Sequence, residues 1–189
     1  DAHARGAVAC IGEKGHIPRG VPGIAVADTL QALWDFAGWH RQRMDALLIG
    51  ITGSVGKTTT RHMLQATLAA RFAGVESPGN YNNHWGVPLS LLTIRPEHEF
   101  AVLEFGASQV GEIARLATLA EPEIGVLTAI GPAHLEQFGT IENICDAKSE
   151  LLQALPASGF AVINGDDERV RALADRATCR VLRAGTRAN

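Results

Sequence analysis

The sequence predicts an α/β fold: a mainly parallel, P-loop-type sheet with helices on both faces, preceded by part of a small α/β domain. From residue 46 onward, short apolar runs alternate with helical patterns, and this alternation is typical of parallel strands joined by helices. Several runs are apolar at almost every position, as in strands that helices cover on both faces. A glycine-rich loop follows the first run and opens a helix, which is the order found in P-loop proteins.

The first forty-five residues have a different pattern. Residues 7–11 and 23–26 are short apolar runs separated by a connection rich in proline and glycine, which predicts two short strands. Asp28 is placed to cap a helix that ends near residue 41, because apolar residues then recur on one helical face. This segment is too small to bury a core alone. We therefore expect a domain boundary near residue 45, with a central domain at 46–189 that this chain need not complete.

The remaining elements follow in chain order, and their polar ends mark the candidate site. The predicted strands are 46–52, 100–104, 124–129, 160–164 and 180–183. The predicted helices are 57–71, 110–119, 141–155 and 167–177. In parallel sheets the ligand lies at the carboxyl ends of the strands, so polar residues that follow these strands are the candidates for function.

Composition narrows the class of protein. The formal net charge of -3 offers no basic surface for nucleic acid, so no nucleic-acid partner is expected. No apolar run approaches the roughly 18 residues of a membrane span. The three cysteines are scattered without C-x-x-C spacing, which favours free thiols in a reducing cytoplasm over disulfides or a zinc site. The chain begins without methionine or a signal peptide, so we expect a cytoplasmic protein of which this is a fragment.

The glycine-rich loop predicts a site for a nucleotide polyphosphate. Its glycines permit a tight turn that presents backbone N–H groups to phosphates, and the helix N-terminus and Lys57 add positive charge. Thr58 can place its hydroxyl on the magnesium ion that accompanies ATP. Ile51 stands where the common pattern has its first glycine, so an ordinary strand-to-helix turn is the alternative. The candidate ATP-binding residues are Gly53, Ser54, Val55, Gly56, Lys57, Thr58 and Thr59.

Further polar residues lie after the other strands or on a nearby helix. Glu104 ends a predicted strand, where it could bind magnesium directly or through water or be a solvated acid. His134 follows the strand at 124–129; alone, a loop histidine is more often structural. Lys148 lies on a predicted helix and, alone, would be a surface lysine. The amide-rich loop at 78–88 fits turn chemistry and function equally well.

Taken together, these stretches resemble the Mur ligase family, the ATP-dependent enzymes that build the peptide of bacterial peptidoglycan precursors. The similar segments are 52–59, 79–83 with 86–88, 104–107 with 111–113, 134–136 with 138–139, and 147–150. Within the family they are most similar to the branch that adds D-alanyl-D-alanine. The resemblance spans roughly residues 4–167, and it accounts for the unusual glycine spacing.

The resemblance implies a role for each matching residue. Lys57 would contact the β- and γ-phosphates of ATP, and Thr58 and Glu104 would hold a first magnesium ion. His134 would help to hold a second magnesium ion. Lys148 matches the family lysine that reacts with carbon dioxide to form a carbamate, which is an anionic metal ligand. The implied catalytic residues are therefore Lys57, His134 and Lys148.

Other positions match less fully. Asn164 matches a residue near the adenine, and Asn80 and Asn83 match the phosphate and acyl-substrate region. Gln109 stands where the family often has histidine, and Ser149 stands where it usually has glycine. These two departures leave open any role for position 109 and the orientation of a carbamate on the neighbouring lysine.

The resemblance implies a cytoplasmic, monomeric ligase that joins D-alanyl-D-alanine to a UDP-N-acetylmuramoyl-tripeptide through an acyl phosphate. It also implies that residues 1–45 end a UDP-substrate-binding domain. Family members carry a third, C-terminal domain that these 189 residues do not include, so the 189 residues alone should not be fully active. Three alternatives stay open. They are another Mur-family or folylpolyglutamate-synthase-like ligase, a P-loop kinase or NTPase, and a non-catalytic nucleotide-binding module.

Overall fold

The computed structural model describes residues 3–133 and 135–186. The strands are β1 (Cys10–Glu13), β2 (Gly23–Val26), β3 (Leu47–Thr52), β4 (Gly74–Glu76), β5 (Phe100–Glu104), β6 (Ile124–Leu127), β7 (Phe160–Asn164) and β8 (Arg180–Ala184). The α-helices are α1 (Thr29–Arg41), α2 (Lys57–Ala69), α3 (Gly86–Leu91), α4 (Glu112–Ala120), α5 (Leu135–Phe138), α6 (Ile141–Ala154) and α7 (Glu168–Ala172). Short 3₁₀ helices span His3–Arg5 and Ala174–Arg176.

Six strands form one parallel sheet in the order β4-β5-β3-β6-β7-β8. This topology confirms the predicted parallel α/β fold. The central strand β3 pairs with β5 on one side and with β6 on the other. It is buried from Leu48 to Thr52, as its apolar run predicted. The carboxyl end of β3, which leads into the glycine-rich loop, therefore lies at the middle of the sheet.

Helices cover both faces of the sheet. On one face Leu48 of β3 packs in a cluster with residues of α1, α3 and α4. On the other face Ile49 and Ile51 pack against Leu64 and Leu68 of α2. Neighbouring residues of one strand point to opposite faces, so this division follows from the sequence of β3. A further cluster joins α6 and α7 to β6 and β7.

Several predicted boundaries are wrong, and one strand and two α-helices were missed. The first strand lies at Cys10–Glu13 rather than at 7–11. The predicted helix at 167–177 is divided into α7 and the 3₁₀ helix Ala174–Arg176. The missed elements are β4, α3 and α5. In α3, Pro88 lies in the first turn, where its missing N–H costs no intrahelical hydrogen bond, so proline did not exclude a helix.

The first forty-five residues supply a separate pair of strands and a helix that packs on the large sheet. β1 and β2 form their own two-stranded parallel sheet. Asp28 caps α1 as predicted, since its Oδ1 accepts hydrogen bonds from the N–H groups of Leu30 and Gln31. Ala37 of α1 is fully buried in the cluster that contains Leu48. A domain boundary near residue 45 stays a prediction. Among the described residues, the helices are all too short or too polar to cross a membrane.

Candidate active site

The glycine-rich loop between β3 and α2 has the tight backbone that its sequence predicts. Gly53 and Gly56 have backbone φ angles of 146° and 87°, which residues other than glycine rarely adopt. The loop is tied to the segment after β6, because Ser54 N–H donates to the Ala129 carbonyl at 2.7 Å. Thr128 Oγ1 also donates to the Val55 carbonyl at 2.6 Å. The N-cap residue of α2, Gly56, has no side chain to cap the helix, which leaves the first turn of α2 open to an anion.

Gly53 permits the closest approach in this loop, so Gly53→Ala is expected to distort it. An added Cβ would overlap Thr128 Oγ1 and lie 3.1 Å from the Ala129 backbone nitrogen. We expect a loss of about 1–3 kcal/mol in the free energy of unfolding and at least tenfold weaker nucleotide binding, measured by thermal unfolding and calorimetry. Gly131→Ala is the matched control, since an added Cβ there meets no atom within 4 Å. Equal nucleotide affinity in the two variants would contradict this prediction.

Glu104 lies beside this loop and is paired with an arginine. It ends β5, where it pairs in register with Ile51 of β3, and it is only 1% exposed. Arg61 Nη1 forms an ion pair with Glu104 Oε1 at 2.9 Å and also donates a hydrogen bond to the Gly79 carbonyl at 2.6 Å. In the described part of the chain Glu104 Oε1 has no further hydrogen-bond donor. A buried carboxylate at a strand end is a suitable ligand for a metal ion.

Arg61 is a site residue that was missed from the sequence. It is 2% exposed, and its Nε donates to Glu76 Oε2 at 3.0 Å. One guanidinium thus connects α2 to β4, to the carbonyl of Gly79 and to Glu104. A signal was present, since a basic residue occupies the helical stripe that continues as Leu64 and Leu68.

A cavity of about 510 Å³ lies between the glycine-rich loop, α1, α4 and α6. It brings together five of the predicted site residues, which are Gly53, Ser54, Lys57, Asn83 and Lys148. Lys57 Nζ donates to the Gly53 carbonyl at 2.7 Å. Burial lowers the pKa of Lys57, while the charge of Glu104 acts in the opposite direction.

Lys148 is buried in the wall of this cavity. It is 3% exposed, so the surface role expected of an isolated helical lysine is wrong. Burial first, and then the charge of Lys57, lower the pKa of Lys148 to about 8, while Glu112 and Glu150 act in the opposite direction. The Phe138 ring centroid lies 5.6 Å from Lys148 Nζ. A primary amine with this pKa is partly neutral near physiological pH.

Two carboxylates hold the loop between β5 and α4 near Lys148. Glu150 of α6 accepts hydrogen bonds from Gly111 N–H at 2.5 Å and Ala114 N–H at 2.8 Å. Glu112 accepts from Ser108 N–H at 2.6 Å. Both carboxylates lie in segments that resemble the family, but no role was predicted for them. Their hydrogen bonds fix one wall of the cavity and leave the amine of Lys148 as its buried titratable group.

Other predicted site residues lie away from the cavity lining. Asn80 is exposed, and Asn164 Oδ1 accepts a hydrogen bond from Asp166 N–H at the end of β7. Asn83 Oδ1 accepts from the N–H groups of Trp85 and Gly86, so this residue shapes a turn as well as lining the cavity. The exposed members of the glycine-rich loop and first helical turn are Val55, Gly56, Thr58 and Thr59. The predicted metal ligand His134 lies outside the described residues.

The described residues contain no group of three His, Cys, Asp or Glu side chains that could hold a metal ion. A magnesium site does not require such a group, because magnesium is commonly held by one or two carboxylates together with substrate phosphates and water. Glu104 at the end of β5 and the exposed Thr58 in the first turn of α2 fit that mode of binding.

A parallel α/β sheet with a glycine-rich loop at its central strand, a lysine opening the next helix and a buried strand-end acid defines a P-loop nucleotide-binding protein. The comparison with known families is more specific. Residues 51–189 match the sequence model described as the Mur ligase middle domain. The chain belongs to the Mur ligase family, as its motifs predicted.

Two similar curated proteins are both named UDP-N-acetylmuramoyl-tripeptide–D-alanyl-D-alanine ligase. The Escherichia coli protein is 39% identical over 147 residues, which are 78% of this chain and 32% of that protein. The Bacillus subtilis protein is 42% identical over 144 residues, which are 76% of this chain and 32% of that protein. This chain therefore spans about a third of the length of these relatives.

Solved structures give the same picture. A crystal structure of MurF from Acinetobacter baumannii matches 98% of this chain and 41% of its own, with a TM-score of 0.89 and 33% identity. The structure of MurF from Thermotoga maritima in complex with ADP matches 99% of this chain and 43% of its own, with a TM-score of 0.86 and 34% identity. Escherichia coli FolC is 15% identical with a TM-score of 0.61, so that likeness concerns the fold alone.

Proposed function

We propose that this chain is the nucleotide-binding part of an ATP-dependent ligase that joins D-alanyl-D-alanine to a UDP-N-acetylmuramoyl-tripeptide. The observation that carries the proposal is that the P-loop Lys57, the buried Lys148 and the amide-bearing Asn83 line the same cavity. A phosphate-binding lysine alone would suit any P-loop enzyme. A simple phosphate-transfer site does not require a second, buried lysine that faces the same cavity. The names of the curated relatives support the choice of substrates.

ATP would bind with its phosphates over the loop at 53–59 and the N-terminus of α2. Backbone N–H groups, the helix dipole and Lys57 all favour negative charge there. The Thermotoga maritima protein, which is named as a complex with ADP, supports the nucleotide. Asn164 is the residue that we assign to the adenine side, on its position at the carboxyl end of β7.

Magnesium would be held by Thr58, Glu104 and phosphate oxygens, and the buried carboxylate of Glu104 at the end of β5 supports this assignment. When bound, magnesium neutralises charge on the phosphates during phosphoryl transfer. For a second ion we assign His134 and a carbamate on Lys148.

A carbamate would convert Lys148 from a buried cation into an anionic oxygen ligand. The neutral amine attacks carbon dioxide, a C–N bond forms, and one amine proton leaves to solvent. Only the neutral amine has the lone pair for this step. With a pKa of about 8, about a quarter of the Lys148 side chains are neutral at pH 7.5, against roughly one in a thousand for an ordinary lysine.

The reaction that we propose has two steps. The terminal carboxylate of the tripeptide attacks the γ-phosphorus, the bond to the β-phosphate oxygen breaks, and an acyl phosphate and ADP form. The amine of D-alanyl-D-alanine then attacks the acyl carbon, an amide forms, and phosphate leaves. Lys57 would hold the transferred phosphoryl group in line, and Asn80 and Asn83 would border the acyl substrate.

The acyl substrate carries more charge than the carboxylate that reacts. One Acinetobacter baumannii structure is named with the peptide written out as alanyl-D-glutamyl-2,6-diaminopimelate. A glutamyl residue linked through one carboxyl group keeps the other, and diaminopimelate has two, of which one is activated. If the tripeptide of this protein is built in the same way, its substrate presents unreacted carboxylates.

The domain and cellular assignments are part of the same proposal. Residues 1–45 would be the end of a UDP-substrate-binding domain, and residues 46–189 would belong to the central ATP-binding domain. We further propose that the protein is a monomer and that it works in the cytoplasm, where ATP and UDP-linked precursors are available.

A ligation assay on the full-length protein tests the proposed function. We expect ADP and phosphate release that requires both the UDP-tripeptide and D-alanyl-D-alanine, with the pentapeptide product detected by mass spectrometry. Ligation of a single amino acid instead would move the protein to another branch of the family. Phosphate release or transfer without any amine would favour a P-loop kinase or NTPase.

A further inference from the structure

We propose that Arg115, held against Trp34, forms a subsite that binds an unreacted carboxylate of the acyl substrate. This inference rests on the proposed function, because it assigns one part of the peptide to one part of the cavity. Both residues line the cavity that contains Lys57 and Lys148, but they come from α4 and α1 rather than from the phosphate-binding loop.

Arg115 is exposed, and a cation–π contact places its guanidinium beside Trp34. Trp34 Nε1 donates a hydrogen bond to the His84 carbonyl at 2.8 Å, which ties α1 to the segment before α3. The Arg115 guanidinium carbon lies 5.2 Å from the centroid of the Trp34 ring, a distance at which the ring face attracts a cation. This contact limits the freedom of a side chain that would otherwise lose much entropy when it binds a ligand.

The donors of Arg115 are available. Across residues 3–133 and 135–186, its side chain makes the contact with Trp34 and takes part in no hydrogen bond or ion pair. Lys57 differs, because its amine is bonded to the Gly53 carbonyl. A guanidinium offers five N–H donors in a planar fork that matches a carboxylate. Arg115 therefore has N–H donors that can bind a carboxylate, and no acceptor among the described residues occupies them.

The charge of the cavity also favours a second anion. Apart from Lys148, whose charge reverses when the carbamate forms, the described residues of its lining include two cations, Lys57 and Arg115, and one acid, Glu112. Glu112 is engaged by the N–H groups of Ser108 and Gln109. This local excess of positive charge stands in a chain whose formal charge is -3. The nucleotide phosphates use Lys57, so the guanidinium on the α1 side is left for a carboxylate of the peptide.

The test measures binding of the UDP-tripeptide to full-length protein by calorimetry, together with the KM values for each substrate. We expect Arg115→Ala to raise the Kd for the UDP-tripeptide roughly 10- to 100-fold, the range for hydrogen bonds to a charged group. The KM for ATP should change less than twofold, and Arg115→Lys should recover part of the affinity. Arg43→Ala is the matched control, because Arg43 stacks on Trp39 at 4.0 Å but is not among the residues that line the cavity.

A second arm identifies the ligand group. A UDP-tripeptide whose unreacted carboxylates are converted to amides should bind wild-type protein as weakly as the natural peptide binds Arg115→Ala, and the variant should not distinguish the two peptides. The subsite would be refuted if Arg115→Ala bound the natural UDP-tripeptide with wild-type affinity, or if both proteins distinguished the natural from the amidated peptide equally. In either case the wild type would still carry out ligation. A wild-type protein that binds no UDP-tripeptide would instead refute the proposed function, and the subsite with it.

Discussion

Lys57→Ala is expected to abolish ATP binding, with an affinity at least about 100-fold below that of the wild type. Lys57 opens α2 directly after the positive-φ Gly56, so its amine extends back over the loop that would hold the phosphates. Each charge-assisted hydrogen bond contributes about 1.5–3 kcal/mol, and the amine can contact two phosphates. Its bond to the Gly53 carbonyl at 2.7 Å would be exchanged for phosphate oxygens, which carry more negative charge.

The measurement is calorimetric binding of ATP and ADP to the full-length protein, with and without magnesium. Lys57→Ala should lose affinity in both conditions, because the lysine charge acts on the phosphates themselves. Thr58→Ala should lose affinity only when magnesium is present. Lys14→Ala is the control for removal of an exposed lysine. Wild-type affinity in Lys57→Ala would refute the assignment of this loop to phosphate binding.

The fold was predictable where the sequence signal is local and the strand is buried. The bounds of β2, β5 and β7 agree with the predicted segments, and the apolar runs of β5 and β7 end at the polar residues Glu104 and Asn164. β4 escaped prediction since it has only three residues, Gly74–Glu76, at the edge of the sheet. Its strand conformation depends on pairing with β5, and no pattern within the segment records that pairing.

The residues of the candidate site could likewise be predicted only where the sequence signal is local. The phosphate-binding loop and Glu104 could be placed from the sequence, because the conformation of each depends on a few neighbouring residues. The partners of Glu104 could not, since Arg61 reaches it across a gap of more than forty residues. Glu150 was hidden for the same reason, as it accepts hydrogen bonds from a loop nearly forty residues away. Long-range polar contacts of this kind follow from the packing of α2 and α6, which periodicity does not specify.

The burial of Lys148 also required the structure. The α6 sequence has an amphipathic pattern that would leave a lysine free to face solvent. In the fold, α6 contacts α4, β3 and β6, and residues 147–152 are buried in succession. A helix enclosed on several sides has little exposed face, so its lysine must lie inside. The resemblance to the family placed this residue in the site, and packing accounts for its low pKa.

Lys148→Ala is expected to lower the ligation rate at least about 100-fold without unfolding the protein, because a metal ligand is lost. If a carbamate is the active form, formate or acetate should restore part of the activity of Lys148→Ala. Lys148→Arg should not be restored, since its side chain fills the space. In the wild type, ¹³C-labelled carbon dioxide should give a carbamate signal by NMR that Lys148→Ala lacks. Absence of that signal near pH 8 would contradict the carbamate.

When no carbamate is formed, the amine of Lys148 predicts a pH dependence of the free energy of unfolding. In buffer free of carbon dioxide, Lys148 has a pKa of about 8 in the folded protein, against the ordinary 10.5. Below pH 8 the lysine is charged in both states, and burial of that charge costs up to about 3 kcal/mol. The cost decreases as pH rises from 8 to 10.5, because the unfolded chain then binds more protons. Lys148→Met should therefore be more stable than the wild type below pH 8, and this advantage should shrink at higher pH. Urea unfolding across this range measures the difference, and a constant difference would show that Lys148 is not a buried, titrating amine.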